Sequence, residues 1–237
     1  MLTVHQNAVY KKIEDHVLQE IEKFFNRVPF AREFHEAKWT NREYYKRHII
    51  EAILRIDLNN EVDAYCLYKI SCRNKSIAKK LVTYLAEEYG HDSFFINDLK
   101  EFGIEEEEIL NTQPFFSTQL LIGYLYYSIE SDGAMPTIVW NWLVEWYSNR
   151  YNTKITMKAE EEFGIKKVEG VMAHLQIDRD ENHLGDMFSA LEEVIKGEKN
   201  EEKVKQYLTN FIKLIGMYFQ ELHDQTIVAQ SNVQIAV

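Results

Sequence analysis

Apolar residues recur every three to four positions along almost the whole of this chain, and no stretch keeps a strand's two-residue alternation for long. Only three prolines (Pro29, Pro114 and Pro136) and nine glycines interrupt the pattern in 237 residues. A chain patterned this way must bury its apolar stripes against other helices, so an all-α bundle of seven or more helices is expected. The segment 7–26 carries Val9, Ile13, Val17, Ile21, Phe24 and Phe25 on one face and stops before Pro29. Helices are predicted at 41–58, with Thr40 or Asn41 as N-cap, and at 61–70. A third long segment, capped by Asn74, runs over 75–102 to Gly103, with Gly90 marking a bend or a close helix contact. Further helices are expected over 115–131, 136–151, Thr156 to Gly164, 165–196 and 201–225. The acidic run Glu105 to Glu108 reads as a solvated first helical turn. No repeat or long linker divides the chain, which gives a single domain over 1–227 and a frayed tail from 228.

Charge narrows the partners. A net charge of −11 lacks the basic footprint that nucleic acid or an anionic membrane surface requires. No stretch approaches the ~20 apolar residues of a membrane span, and the N-terminus does not resemble a signal peptide. Cys66 and Cys72 are too few for a disulfide framework and suit a reducing compartment. A cytoplasmic protein is expected.

Against this background two histidine-carboxylate clusters stand out: Glu87-Glu88-Tyr89-Gly90-His91, and the run from His174 to His183 containing Asp178, Asp180 and Glu181. Between them, Glu145 interrupts the apolar run Ile138 to Val144. Residues three or four apart share a helical face, so Glu88 with His91 and His174 with Asp178 can each address one ion. A buried Glu145 must be neutralised, paired or metal-bound. Carboxylates with imidazoles and no thiolate suit iron or manganese better than structural zinc. Each pair alone is more often a surface pair, and Glu145 alone can pair with a core cation. The signal is in the conjunction. His5, His16, His35, His48 and His223 lack such acid spacing and read as surface or structural.

The runs Ala86 to Asp92 and Asn97 to Gly103 resemble the heme-oxygenase-like diiron oxidases, whose fold is shared with thiaminase II and pyrroloquinoline-quinone synthase. That superfamily carries a lone glutamate about as far beyond its first histidine as Glu145 lies beyond His91. An HxxxDxxH helix follows at about the distance of His174. The resemblance spans roughly 10–225. It implies Glu88, His91, Glu145, His174 and Asp178 as metal ligands. The family's second histidine falls three residues after the aspartate, where this chain has Glu181, and the next histidine is His183. A regular helix turns ~100° per residue, which would point His183 away from His174. His183 is therefore a ligand if the helix bulges or unwinds after Asp178. Without that break, Glu181 takes the place, or Asp180 and His183 form a different pair.

The resemblance implies a non-heme diiron enzyme with two Fe2+ ions, O2 as co-substrate and an external electron source where the reaction needs one. Its substrate would be a small molecule. Dimers are common in that superfamily, though no surface here can be singled out for one. Relatives decarboxylate fatty acids, N-oxygenate, or fragment amino acids, and one turns a brominated tryptophan into a nitrile. Aromatic residues near the expected ligands (Tyr84, Phe94, Tyr126, Trp142 and Trp146) favour an amino acid or amine, aromatic in character, over a long acyl chain. A thiaminase II-like hydrolase would need a cysteine in the pocket, a heme oxygenase would need an axial histidine such as His16, and a helical interaction module would leave the inward acids unexplained.

Overall fold

The computed structural model describes residues 4–229, and among these the secondary structure is helical with no strand. The tail expected from 228 falls almost wholly outside the described residues. Helix α1 (Val4–Phe25) buries the stripe Ile13, Val17, Ile21 and Phe24 and packs along α12 (Glu198–His223). After a left-handed Phe30, the short α2 (Ala31–His35) places Phe34 and His35 in an aromatic nest with Phe24, Phe25 and Phe219. No helix among the described residues is long and apolar enough to cross a membrane.

Helix α3 (Arg42–Ile70) starts at Asn41, whose side chain accepts from the N–H groups of Glu43 and Tyr44 at 3.0 and 3.2 Å. It runs unbroken where the sequence pattern suggests two helices. The Asn59 side chain, at the expected gap, accepts from Trp140 Nε1 at 2.7 Å. A tertiary partner has removed the local competitor for the backbone.

The segment expected as one helix over 75–102 is two. Helix α4 (Lys75–Glu88) ends at Tyr89 and α5 (Asp92–Glu101) begins after His91, with Gly90 between them at φ 94°. Helices α6 (Glu106–Leu110) and α7 (Phe116–Asp132) follow, and α7 packs against α3 and α12. Helix α8 (Met135–Tyr147) continues through a π-helical turn over Ser148–Asn152 into α9 (Thr153–Phe163).

The expected helix 165–196 is also divided. A 3-10 turn at Ile165–Lys167 leads to α10 (Glu169–Asp180), and α11 (His183–Val194) starts after the left-handed Asn182 (φ 60°). Helix α11 packs on α8 and α4, while α10 packs mainly on α5. These two breaks, at Gly90 and Asn182, bring the two histidine-carboxylate clusters together.

Candidate metal centre

Glu88 closes the last turn of α4 and His91 stands just beyond the Gly90 break. Glu145 faces inward from α8, His174 and Asp178 share one face of α10, and His183 is the first residue of α11. The unwound stretch that His183 needed is present. Asn182 in the left-handed region resets the helical phase, so the His183 ring returns to the cluster and is only 1% exposed.

Glu88 is the hub. Its Oε2 lies 3.1 Å from His91 Nδ1 and 3.8 Å from His174 Nε2, and its Oε1 lies 2.8 Å from His183 Nδ1. Asp178 adds Oδ2 at 3.1 Å from His174 Nδ1 and Oδ1 at 3.7 Å from His183 Nδ1. Among the described residues three triads offer ligand atoms within 4.8 Å of one another: Glu88, His91 and His174; Glu88, Glu145 and His183; and, toward the surface, Glu87, Glu181 and His183. Glu88 belongs to the first two.

Of these Glu88 and Asp178 contacts, only that of His91 Nδ1 to Glu88 Oε2 has hydrogen-bond geometry. Glu88 Oε1, His174 Nε2, Asp178 Oδ1 and His183 Nδ1 are all buried without a hydrogen-bond partner. Such atoms are expensive to bury, about 1–3 kcal/mol each. Four of them converging on one spot is the arrangement a cation would satisfy, and carboxylate oxygens with imidazole nitrogens fit iron.

The charges agree. Burial alone would raise the Glu88 carboxyl, but the imidazoles of His174, His183 and His91 hold it well below the carboxylate range. Burial, joined by the negative charges of Glu88 and Asp178, pushes Glu145 upward. Burial works against a charged His174, yet Asp178 and Glu88 raise it to about 10. A divalent cation binding these imidazoles and carboxylates would compete with protons for the same atoms.

The surroundings fix these side chains. Tyr84 OH donates to Glu145 Oε1 at 2.7 Å. Asp98 of α5 accepts from the N–H groups of Gly170 and Val171 at 2.7 and 2.8 Å, which pins the start of α10 and so aims His174 and Asp178. Glu181, the alternative to His183, instead meets the outer nitrogen: its Oε2 lies 2.9 Å from His183 Nε2 and orients the ring. Asp180 is exposed and accepts from Gln176 Nε2.

A cavity of about 200 Å³ opens beside the cluster, and Glu88, Glu145, His174 and Asp178 form part of its wall. Of the five aromatic residues expected to meet a substrate, Tyr84 alone lines it. Trp142 and Trp146, four apart, share the α8 face turned toward α1, where Trp142 meets Tyr10 and Trp146 Nε1 donates to Glu14. Phe94 lies against the rings of His91 and His174, and Tyr126 packs on Tyr65 near the surface. The cavity is aromatic all the same, through Tyr45, Phe95, Trp140, Tyr147, Tyr218 and Phe219. Those positions come from several helices and carry no local sequence mark. Asp98 and Asn182 likewise escaped the sequence reading.

Residues 58–213 match a family model described as an iron-containing redox enzyme. Among solved structures, a domain with a heme oxygenase-like fold from Shewanella denitrificans superposes with a TM-score of 0.80 at 19% identity, over 94% of this chain and 95% of that one. A TenA homolog from Pseudomonas syringae gives 0.71 at 11% identity, over 91% of this chain and 92% of that one. A TenA homologue from P. horikoshii gives 0.69 at 12%, over 90% and 97%. At these identities the likeness establishes the heme oxygenase-like fold alone. No curated protein matches significantly.

Proposed function

The chain belongs to the family of iron-containing redox enzymes, and from that premise we propose a non-heme diiron, O2-dependent oxidase or oxygenase acting on an amino acid or related amine. The observation that carries this is the convergence of four unpartnered, buried ligand atoms from Glu88, His174, Asp178 and His183. Glu88, His91, Glu145, His174, Asp178 and His183 would hold the two irons. Bound as Fe2+, the pair would supply two of the four electrons that take O2 to water, with the other two coming from substrate or an external reductant.

The protein's own residues would do the rest. Tyr84 holds Glu145 in place, Asp98 holds α10, and the apolar wall of Ile49, Ala52, Ile56, Leu121 and Leu143 excludes water from the reacting groups. At about 200 Å³ the cavity is below the ~300 Å³ at which pockets for drug-sized ligands begin. That favours a compact substrate over the long chain of a fatty-acid decarboxylase. The aromatic wall supports an aromatic amino acid as the narrower reading, with oxidative rearrangement or C–C cleavage of a tryptophan derivative, to a nitrile, as its most specific form.

The metal-free hydrolase reading gains nothing from the cysteines. Cys66 is fully buried outside the cavity wall, and burial pushes its thiol up to about 11, while Cys72 is exposed. An axial role for His16 is equally unsupported, because its Nε2 already meets Lys205 O at 3.0 Å and Thr209 Oγ1 at 2.9 Å.

Iron per chain after anaerobic Fe(II) addition tests the proposal, with Glu145→Ala and His174→Ala beside wild type. Uptake approaching two irons in wild type and lost in both variants is expected, followed by O2 consumption that an aromatic amino acid accelerates. No specific iron uptake by wild type would sink it.

A further inference from the structure

The cavity wall also carries a cation that forms no ion pair with any carboxylate among the described residues. Arg55, on α3, lines the cavity with its guanidinium over the ring of Tyr218, Cζ 4.4 Å from the centroid. Its Nη1 is buried with no hydrogen-bond partner, and among the described residues no carboxylate forms an ion pair with Arg55. An arginine cannot discharge itself by losing a proton. Burying it in this state costs free energy unless an anion arrives.

The nearby carboxylates are already committed. Glu51, one turn before Arg55 and fully buried, accepts from Arg47 Nη2 at 2.6 Å, Thr118 Oγ1 at 2.6 Å and the Phe115 N–H at 2.9 Å. Glu221 accepts from the N–H groups of Phe116 and Ser117 and from Ser117 Oγ. The Tyr218 hydroxyl, paired with His48 Nδ1 at 2.7 Å, also accepts a hydrogen bond from Arg55, but as a neutral group it leaves the guanidinium charge unbalanced. His48 itself is no rival cation, since burial, with the Arg55 charge added, drives its pKa well below the usual value.

We infer that Arg55 is the anchor for a carboxylate on the substrate, held in the same cavity whose wall includes Glu88, Glu145, His174 and Asp178. This deepens the proposed function and rests on it for the reaction, though not for the binding. A guanidinium with one face covered by an aromatic ring still presents its N–H edge, and that edge is what a carboxylate recognises. The ligand class is a compact organic acid, an α-amino acid in particular. Its carboxylate would sit at Arg55, and its side chain would lie along Ile49, Ala52, Ile56 and Leu121. The charges also match. Two divalent cations outweigh the three carboxylates Glu88, Glu145 and Asp178, so the loaded cavity is positive at the metal ligands as well as at Arg55.

The test is equilibrium binding by calorimetry to the metal-free full chain, using L-tryptophan against tryptamine, L-phenylalanine against phenethylamine and L-leucine against isoamylamine. In wild type at least one acid is expected to bind at least tenfold more tightly than its amine. Arg55→Gln should weaken that acid by roughly 10- to 100-fold, the range for a charge-assisted hydrogen bond. Amine binding and iron uptake should stay unchanged, and Arg55→Lys should recover part of the loss. Acids binding no more tightly than their amines across the panel would overturn the inference, as would undiminished acid binding by Arg55→Gln. If Arg55→Gln does not fold, the wild-type acid–amine comparison still decides. Because these measurements need no metal, a failure of iron uptake would sink the diiron reading and leave this one standing.

Discussion

Gly170 lies so close to the carbonyl oxygen of Phe94 that a β-carbon on it would stand 2.0 Å away. Helix α10 therefore sits against α5 at a distance only glycine permits, with Asp98 bonded across the seam. Gly170→Ala must push the two helices apart and carry His174 and Asp178 with α10. We predict a stability loss of about 1–3 kcal/mol, the usual range for overpacking, together with weaker Fe(II) uptake. Urea denaturation and iron per chain would check this, and a variant normal in both would remove the seam as the device that aims α10.

Asn182 holds the left-handed conformation on which the position of His183 depends. Asn182→Gly should keep the site, since glycine enters that region freely. Asn182→Val should cost about 1–2 kcal/mol or more at this residue and weaken Fe(II) binding. Titration of the two variants side by side separates backbone from side chain. Equal affinity in both would mean that the left-handed turn does not govern the His183 ring.

Removing one hydroxyl tests the support for Glu145. Tyr84→Phe leaves the ring in the wall and takes away the 2.7 Å bond to Glu145 Oε1. Groups that orient a metal ligand typically affect metal affinity by about 10–100-fold, and a loss in that range is expected from competition with a chelator. No change would show that the carboxylate is oriented by packing alone.

His35 supplies a pH dependence unconnected with the metal ligands. It is fully buried between Ala31 O, 2.5 Å from Nδ1, and the Tyr147 hydroxyl at Nε2, and burial lowers its pKa to about 4. Between the ordinary value of 6.5 and about 4 the unfolded chain binds a proton that the native chain refuses. Stability conferred by the neutral ring is thus complete above 6.5 and declines as pH falls toward 4, by at most about 3 kcal/mol. His48, also lowered, acts in the same direction. Urea midpoints between pH 4 and 7 should fall with acid in wild type and fall less in His35→Gln. Parallel curves would discount His35.

The helical class was legible from apolar periodicity, and four candidate ligands from acids and histidines at shared-face spacing; Glu145 stood out as an acid in an apolar run, and His183 came only with the family resemblance. The structure brings all six to one place. Where the reading erred, the deciding contact was remote in sequence. The helices expected over 41–58 and 61–70 are one, and Asn59, at the expected gap, has its side chain taken by Trp140. Trp142 and Trp146 looked like pocket residues because they flank Glu145. The same helix, turned by its packing on α1 and α11, sends them the other way. Nothing local announces Arg55 either, since its interest lies in what it lacks once the chain has folded.

The Glu88 hub has a consequence for how the protein is made. Its carboxylate leaves the ribosome with His91 beside it, while Glu145, His174, Asp178 and His183 are still to be synthesised. An ion offered to the nascent chain meets two adjacent ligands and nothing more. Only when α11 has docked on α8 and α4 does the second triad close around the same carboxylate. With iron held as proposed, its delivery would follow translation, to a domain whose helices are already in place.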